Sequence, residues 1–321
     1  MDSVFLNNNL KPKKVLVTGA LGHIGARLVR ELHRANVTEV IMVDNLDSRR
    51  FSSLYELPEG LVKYRFIEED IRMADFKPLL VGVDAVIHLA AITNAEASKE
   101  IPILVREVNL DGAKRVAEAC LEAGVPFFFP STTSVYGSQG SLVDEDCVDL
   151  LPQSPYAESK LAMEKHLQVL GQQGLRFVIC RFGTIFGHSI GKRYDTAVNK
   201  FTWQAVNGKP LTVWRTALKQ KRPYLYLGDC VNAVNFIIEQ DLFDGEVYNI
   251  LTDNFTVEEI VNTIKTFIPT VEITLVDSAI MNQLSYEVDH AKIKNKGFKP
   301  TGQLADGIKE SIDHLRKIIA A

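Results

Sequence analysis

The sequence predicts a doubly wound α/β fold, with a parallel sheet between two layers of helices, followed by a smaller C-terminal α/β lobe. Short apolar segments, partly β-branched, alternate with helical patterns through the first half of the chain, as strands buried on both faces require. After about residue 182 the alternation becomes less regular. We therefore predict one domain over residues 1–182 and a second lobe over residues 183–321, with some chain crossing back to the sheet.

The elements of the first domain follow from local patterns of apolar residues. The predicted strands are Lys14–Thr18, Glu39–Val43, Val62–Ile67, Ala85–Leu89, Pro126–Pro130 and Arg176–Arg181. The predicted helices between them include Ile24–Ala35, Pro102–Ala123 and Tyr156–Gly171. In the second lobe, helical patterns lie near residues 195–207, 229–240, 256–267 and 302–319, and strand patterns near 211–214, 246–250 and 271–275.

Composition excludes several classes of function. The net charge of −4 gives no reason to expect nucleic acid as a partner. No apolar run is long enough to span a bilayer, and the N-terminus lacks the apolar core of a signal peptide. The four cysteines form no CxxC pair, so neither a metal site nor a disulfide framework is expected. These features predict a cytoplasmic protein without membrane contact.

A glycine-rich segment, VLVTGALGHIG, follows the first strand pattern and begins a helix. Gly19, Gly22 and Gly25 stand three apart, with His23 and Ile24 at the predicted helix start. The N-terminus of a helix offers unpaired N–H groups to phosphate, and glycine allows the close approach of a pyrophosphate. An ordinary turn packed against a helix is the alternative. Strand, glycines, helix, strand and acid in that order favour the dinucleotide site of a Rossmann sheet.

The acid in that order is Asp44, at the end of the second strand in VDNLD and followed by Asn45. A carboxylate at this place accepts hydrogen bonds from the ribose hydroxyls of the adenosine half and repels a 2′-phosphate. The sequence therefore predicts NAD rather than NADP. Arg49 and Arg50 follow closely and act against that preference.

A tyrosine and a lysine four residues apart lie on a predicted helix. Tyr156 and Lys160 share one helix face, and Ser154 and Pro155 mark the helix start. An ammonium near a phenol stabilises the phenolate, which then accepts a proton from an alcohol near neutral pH. A YxxxK spacing arises often by chance, so a surface pair is the alternative. The motif indicates a catalytic pair only together with the motifs at two strand ends.

Two strand ends supply those motifs. One strand runs into Ser131-Thr132-Thr133-Ser134-Val135-Tyr136-Gly137, which places hydroxyls where doubly wound sheets bind ligands. Another ends in His88-Leu89-Ala90-Ala91, whose small residues would let a cofactor lie against the backbone. We expect His88 itself to be structural.

With these motifs in order, the chain resembles the extended short-chain dehydrogenases/reductases of the NAD-dependent epimerase/dehydratase family over nearly its whole length. The matching motifs are TGALGHIG, Asp70-Ile71, HLAA, Asn109 in EVNLDG, STTSVYG, YAESK, RFGTIFG and VDHAKIKNKGFKP. The resemblance implies that Tyr156 is the general acid/base, that Lys160 holds the nicotinamide ribose and tunes Tyr156, and that Thr132 hydrogen-bonds the reacting oxygen. The cofactor contacts predicted from motif and resemblance are Gly19, Gly22, His23, Ile24, Gly25, Asp44, Asn45, Asp70, Ile71, Leu89, Ala90, Ala91 and Asn109, with Tyr156 and Lys160.

The resemblance also implies a nucleotide-diphosphate sugar in the second lobe. The predicted substrate contacts are Thr133, Thr184, Lys192, Arg193, Val213, Trp214 and Arg222. Arg222 matches an arginine that grips the diphosphate, although a solvated basic run with Lys219 and Lys221 is the alternative. Thr184 replaces a common asparagine and His188 a common proline, so the sugar cannot be copied from a relative. Thr133 and Ser134 replace the Asp-Glu pair of 4,6-dehydratases.

Three functions are consistent with these residues. The first is NAD-dependent epimerisation of a nucleotide-diphosphate sugar at C4 through a transient 4-keto intermediate. The second is a C4 dehydrogenase or ketoreductase for nucleotide sugars, including nucleotide-activated heptoses. The third is a non-catalytic dinucleotide-sensing protein. By resemblance, we also expect a homodimer formed through the helices Pro102–Ala123 and Tyr156–Gly171.

Overall fold

The computed structural model describes residues 13–139, 142–277 and 286–319. Within them the strands are β1 Lys13–Thr18, β2 Val37–Asp44, β3 Lys63–Glu68, β4 Ala85–His88, β5 Phe127–Thr132, β6 Leu142–Val143, β7 Phe177–Phe182, β8 Thr184–Phe186, β9 Leu211–Trp214, β10 Lys221–Tyr226, β11 Val247–Ile250, β12 Asp253–Thr256, β13 Ile273–Val276 and β14 Glu287–Val288. The α-helices are α1 His23–Glu31, α2 Pro102–Arg106, α3 Ala113–Ala123, α4 Pro155–Gln172, α5 Ala197–Val206, α6 Leu227–Glu239, α7 Val257–Phe267, α8 Ala291–Asn295 and α9 Leu304–Ile319.

Seven strands form one parallel sheet in the order β11–β7–β5–β4–β1–β2–β3. The chain first builds outward from β1 through β2 and β3, then returns to place β4 on the other side of β1. Such a reversal opens a crevice at the carboxyl ends of β1 and β4, where doubly wound sheets bind ligands. The predicted doubly wound parallel sheet is confirmed.

Apolar layers cover both faces of this sheet, because successive side chains of a strand point to opposite faces. Val17 of β1 lies in one fully buried layer with Leu28 of α1 and Val231 of α6. Leu16 lies in the opposite layer, where Leu167 of α4 is buried. The sheet edge that carries the site is therefore held rigidly between two cores.

The second lobe has its own core and also contributes to the main sheet. Strands β8, β10 and β12 form a small sheet, β9 pairs with β13, and α5, α7 and α9 pack around them. Strand β11 pairs with β7 in the large sheet, and α6 packs against α1. The two parts of the chain are thus joined by strand pairing as well as by helix packing.

Most predicted elements lie where the sequence patterns placed them, but one predicted helix is interrupted and several other elements were not predicted. The helix predicted over Pro102–Ala123 is interrupted by a π-helical segment, Glu107–Gly112, between α2 and α3. The wider turn carries Asn109, whose side chain bonds a neighbouring loop, and an apolar periodicity does not register such a local widening. The patterns also missed the short strands β6, β8, β12 and β14, the short helix α8, and β10, which begins with Lys221, Arg222 and Pro223.

None of the helices in the described part of the chain is long and apolar enough to cross a membrane.

Candidate active site

The glycine-rich turn between β1 and α1 packs directly against the loop that follows β4. Gly19 has a φ of +65°, and a Cβ on it would lie 2.5 Å from the amide nitrogen of Ala90. A Cβ on Gly25 would lie 2.4 Å from the carbonyl oxygen of Gly19, within the packing of helix on strand. Gly22 is less crowded, its nearest neighbour standing 3.2 Å from a Cβ position. Only glycine fits the first and third positions, and the second is tight but less crowded.

His23 and Ile24 at the start of α1 are in different surroundings. His23 is 5% exposed, and its ring nitrogens have no hydrogen-bond partner among the described residues. Burial and the charges of Lys192 and Arg193 lower the pKa of His23 well below its usual range, so the ring is neutral. Ile24 packs at the margin of the sheet core. His23 therefore offers an unused polar atom beside the turn.

Asp44 ends β2 and fixes the geometry of the turn. Its carboxylate accepts the backbone N–H of Leu21 at 3.1 Å and that of Leu46 at 3.0 Å. Asn45 donates to Asp47 and to Asp70. The second lone pairs of the Asp44 oxygens suit the two hydroxyls of an adenosine ribose.

Asp70 and Ile71 occupy the next strand end. Asp70 is paired with Arg72 at 2.8 Å, and this pairing lowers the pKa of its carboxyl to about 2. The side chain of Ile71 is buried against Gly112. Any contact that Ile71 makes with a cofactor is therefore through its backbone.

The loop after β4, which carries Leu89, Ala90 and Ala91, is fastened by a buried amide. Asn109 accepts the N–H of Ile92 and donates to its carbonyl oxygen, both at 2.8 Å, and it also donates to Ser159 of α4 at 3.3 Å. Asn109 was predicted as a cofactor contact. In the structure its side chain binds these two segments and sets the distance between the loop and α4.

The tyrosine of α4 faces the hydroxyl at the end of β5. Ser154 caps the helix by accepting the N–H of Ala157 at 3.2 Å, with Pro155 in the first turn, as the sequence predicts. The hydroxyl of Thr132 lies near the phenol of Tyr156. Burial raises the pKa of Tyr156, while the charge of Arg193 and the nearby hydroxyl of Thr132 oppose that rise. A partly buried phenol near a hydroxyl can exchange a proton with an alcohol that binds at the same place.

Lys160 lies one turn further along α4 and is buried. Its ammonium donates to the carbonyl oxygen of Pro130 at 2.7 Å and stands 4.5 Å from the ring centre of Phe129. Burial lowers the pKa of Lys160 to about 7, partly opposed by Glu164. The charge of Arg193 lowers the pKa of the phenol of Tyr156.

Arg193 belongs to the segment between β8 and α5 and reaches across the cleft. Its guanidinium pairs with Asp195 through two bonds of 2.7 Å and donates to the hydroxyl of Thr93 at 2.7 Å. Lys192 donates to Ser311 of α9 at 2.7 Å. Sequence reasoning missed Thr93 and Asp195. Asp195 stands two residues from Arg193, a spacing that local reasoning can use, whereas Thr93 is a hundred residues away.

The remaining predicted substrate residues separate into two groups. Thr133 lies within 3.3 Å of the hydroxyl of Tyr286, whose pKa responds to the charge of Arg222, so these three share one region. Thr184 in β8 pairs with Tyr224 in β10 beside them. Val213 is buried in the core of the second lobe, while Trp214 is 40% exposed. Val213 can meet a ligand only through its backbone.

A glycine-rich turn at the crevice of a parallel sheet, an acid on the next strand and a partly buried tyrosine near a hydroxyl define a dinucleotide-dependent enzyme acting on an alcohol. Residues 15–250 match the NAD dependent epimerase/dehydratase family, and the chain belongs to this family.

Similar proteins agree with this assignment. The uncharacterized UDP-glucose epimerase YtcB of Bacillus subtilis is 36% identical over 248 residues, 74% of this chain and 76% of its own length. A trifunctional UDP-glucose 4,6-dehydratase, epimerase and reductase of Arabidopsis thaliana is 26% identical, and the alignment covers 94% of this chain and 47% of that longer enzyme. The crystal structure of UDP-glucuronic acid 4-epimerase from Bacillus cereus, with UDP-glucuronic acid and NAD, superposes with a TM-score of 0.86 at 28% identity, covering 95% of this chain and 99% of that one.

Proposed function

We propose that this chain is an NAD-dependent 4-epimerase of nucleotide-diphosphate sugars. The observation that carries the proposal is that Tyr156 and Thr132 lie together at the sheet edge that also holds the glycine-rich turn and Asp44. The likeness to a UDP-glucuronic acid 4-epimerase over nearly the whole of both chains supports it. Because two of the relatives are named for UDP-glucose, UDP-sugars are the first substrates to test.

The residues divide the work of such a reaction. Tyr156 accepts the proton of the sugar's 4-hydroxyl and later returns it, and Thr132 holds the same oxygen in place. Arg193 stabilises the charge that develops on the phenol. NAD, when bound, supplies a reversible hydride acceptor. Gly22, Asp44 and His23 are the residues that would hold its diphosphate and adenosine ribose.

The two residues after Thr132 argue against water elimination. Thr133 donates to the carbonyl oxygen of Phe182 and lies within 3.3 Å of the hydroxyl of Tyr286, and Ser134 lies near that hydroxyl as well. Neither can supply the acid and base that the Asp-Glu pair provides in dehydratases. The chain therefore has the groups for proton transfer at one alcohol and lacks a second acid at this place.

A single assay separates epimerisation from oxidation. Purified protein is incubated with UDP-glucose, UDP-galactose, UDP-glucuronic acid or dTDP-glucose, and the nucleotide sugars are resolved by chromatography while absorbance at 340 nm is followed. We expect one substrate to equilibrate with its 4-epimer without net formation of NADH. Steady accumulation of NADH with a ketosugar would assign the chain to the C4 dehydrogenases instead.

A second measurement separates catalysis from sensing. Tyr156→Phe removes the proton-transfer group and keeps the ring, so we expect the epimerisation rate to fall by at least about a hundredfold while NAD binding persists. If the variant kept the wild-type rate of epimerisation, Tyr156 would not be the proton-transfer group. If the variant lost that activity and still complemented a deletion strain fully, a dinucleotide-sensing role would replace the proposed one.

We also propose a homodimer and a division of the chain into two parts. Ile103 and Leu104 on α2 are 74% and 38% exposed, and Val169 on α4 is 49% exposed, which supports a homodimer through these helices. Sedimentation equilibrium of wild type and Ile103→Glu tests it, with dissociation expected for the variant. We retain a boundary between the two parts after residue 182.

The four cysteines are free thiols, which supports a reducing compartment such as the cytoplasm.

A further inference from the structure

Residues 187–195, here called the strap, lie directly on the glycine-rich turn. A Cβ on Gly191 would stand 2.5 Å from the carbonyl oxygen of Leu21 and 2.6 Å from that of Gly22. No side chain fits between the two segments at this point. A loop of the second lobe therefore touches the part of the first domain that binds a dinucleotide.

The strap is fastened at several points. Asn199, 1% exposed, accepts the N–H of Gly187 at 3.1 Å and donates to the carbonyl oxygen of Arg193 at 3.0 Å, so one buried amide spans both ends. Lys192 bonds Ser311 of α9, and Arg193 bonds Thr93 of the first domain. These bonds tie the strap to both lobes.

Positive charge converges where the strap meets the turn. The charges of Lys192, Arg193 and Arg50 all act on His23, the buried first residue of α1 whose ring nitrogens are unpartnered among the described residues. A guanidinium nitrogen of Arg50 stands 3.7 Å from the Cβ position of Gly22. Like charges gathered at a helix N-terminus repel one another, and a bound anion relieves that repulsion.

We propose that Lys192 and Arg50 bind the diphosphate of the dinucleotide together with the turn, so that the second lobe holds the cofactor as well as the sugar. The sequence placed Lys192 on the substrate and Arg50 near the 2′-position of the ribose. This inference rests on the NAD dependence of the proposed function. Such contacts would slow cofactor release, which suits an enzyme that regenerates its cofactor in place.

The test measures release of NAD in the absence of any sugar. Wild type, Lys192→Gln and Arg50→Gln are loaded with radiolabelled NAD and chased with unlabelled NAD at two salt concentrations, with Lys200→Gln and Arg49→Gln as exposed controls. Each test variant loses the free energy of a hydrogen bond to a charged group. We therefore expect NAD release to accelerate at least about tenfold in Lys192→Gln and in Arg50→Gln. The controls should change release less than about twofold. Thermal shifts with adenosine, which lacks the diphosphate, should be equal in all five proteins.

Gly191→Ala gives an independent check, because it lifts the strap and leaves every charge in place. We expect it to accelerate NAD release too. If release is unchanged in Lys192→Gln and Arg50→Gln while the affinity of the NAD-loaded enzyme for UDP-glucose falls, these cations belong to the substrate and the inference is wrong. Because no turnover is needed, faster release in a protein that epimerises nothing would support the strap and reject the proposed function.

Discussion

Arg181 and Glu164 form a buried two-point ion pair one helical turn beyond Lys160. Nε of Arg181 is 3.1 Å from Oε1 of Glu164, and Nη2 is 2.8 Å from Oε2, with both residues 4% exposed. Ser131 donates to the same carboxylate, and Arg181 also donates to Tyr136 at 3.0 Å. The pair thus connects α4, which carries Tyr156, with strands β5 and β7.

Breaking this pair from one side should destabilise the fold. Glu164→Gln leaves the guanidinium of Arg181 buried without a counter-charge, and we expect the free energy of unfolding to fall by about 3 kcal/mol. Urea denaturation followed by circular dichroism measures the change. Glu158→Gln, on the exposed side of the same helix, should change it by less than about 1 kcal/mol. The double variant Glu164→Leu/Arg181→Met should recover stability relative to Glu164→Gln, and a double variant less stable than the single one would contradict the argument.

The charge of Arg193 should control the pH dependence of catalysis. Burial raises the pKa of Tyr156, and Arg193 opposes that rise. Removing the charge in Arg193→Gln therefore raises the pKa further, and the acid limb of the kcat profile should move to higher pH by about one pH unit. Arg193→Lys keeps the charge and should restore most of the position of the limb. If Arg193→Gln raised KM alone, with an unmoved limb, Arg193 would act only in substrate binding.

The sequence predicted those parts of the site whose signal is local. The glycine-rich turn follows one strand, and Ser154, Pro155, Tyr156 and Lys160 share one helix, so short spacings carry the information. The strap depends on contacts between distant residues, such as Arg193 with Thr93 and Lys192 with Ser311. The spacing of residues along the sequence does not predict contacts between residues that are far apart in it. For the same reason, the predicted strand ending at Arg181 gave no sign of its partner on α4.

Asn109 joins segments that lie apart in the sequence. The resemblance implies that it contacts the cofactor, which stays a prediction, and the structure places its amide between Ile92 and Ser159. Asn109→Ala should leave the backbone groups of Ile92 without their partners and cost about 1–3 kcal/mol. The Asn109→Asp variant keeps an acceptor for the N–H of Ile92 and loses the donor to its carbonyl. The free energies of unfolding of both variants, measured by urea denaturation, should therefore fall below that of wild type. If Asn109→Ala were as stable as wild type, the amide of Asn109 would not hold the loop after β4 in place.

Lys160 should make stability depend on pH in the cofactor-free protein. Burial lowers its pKa in the folded state to about 7, against 10.5 in an unfolded chain. Between these values the unfolded chain binds more protons, so the contribution of Lys160 to stability rises with pH from about 7 to about 10.5. Lys160→Met removes this contribution, and its stability advantage over wild type should be largest near pH 6 and shrink as the pH rises. Lys165→Met, exposed on the same helix, should run parallel to wild type, and parallel curves for Lys160→Met as well would refute the lowered pKa.

The glycine-rich turn allows backbone strain to be separated from steric overlap. Gly19 and Gly60 both have positive φ values, +65° and +77°, but a Cβ on Gly60 meets nothing within 4 Å, whereas one on Gly19 overlaps the backbone of Ala90. Gly60→Ala should therefore cost only the left-handed conformation, roughly 1–2 kcal/mol. Gly19→Ala adds an overlap of about 1–3 kcal/mol and pushes the turn away from the loop after β4. We expect Gly19→Ala to lose the thermal shift with NAD and Gly60→Ala to keep it in full. Equal costs in urea denaturation for the two variants would show that the turn and the loop are not in contact.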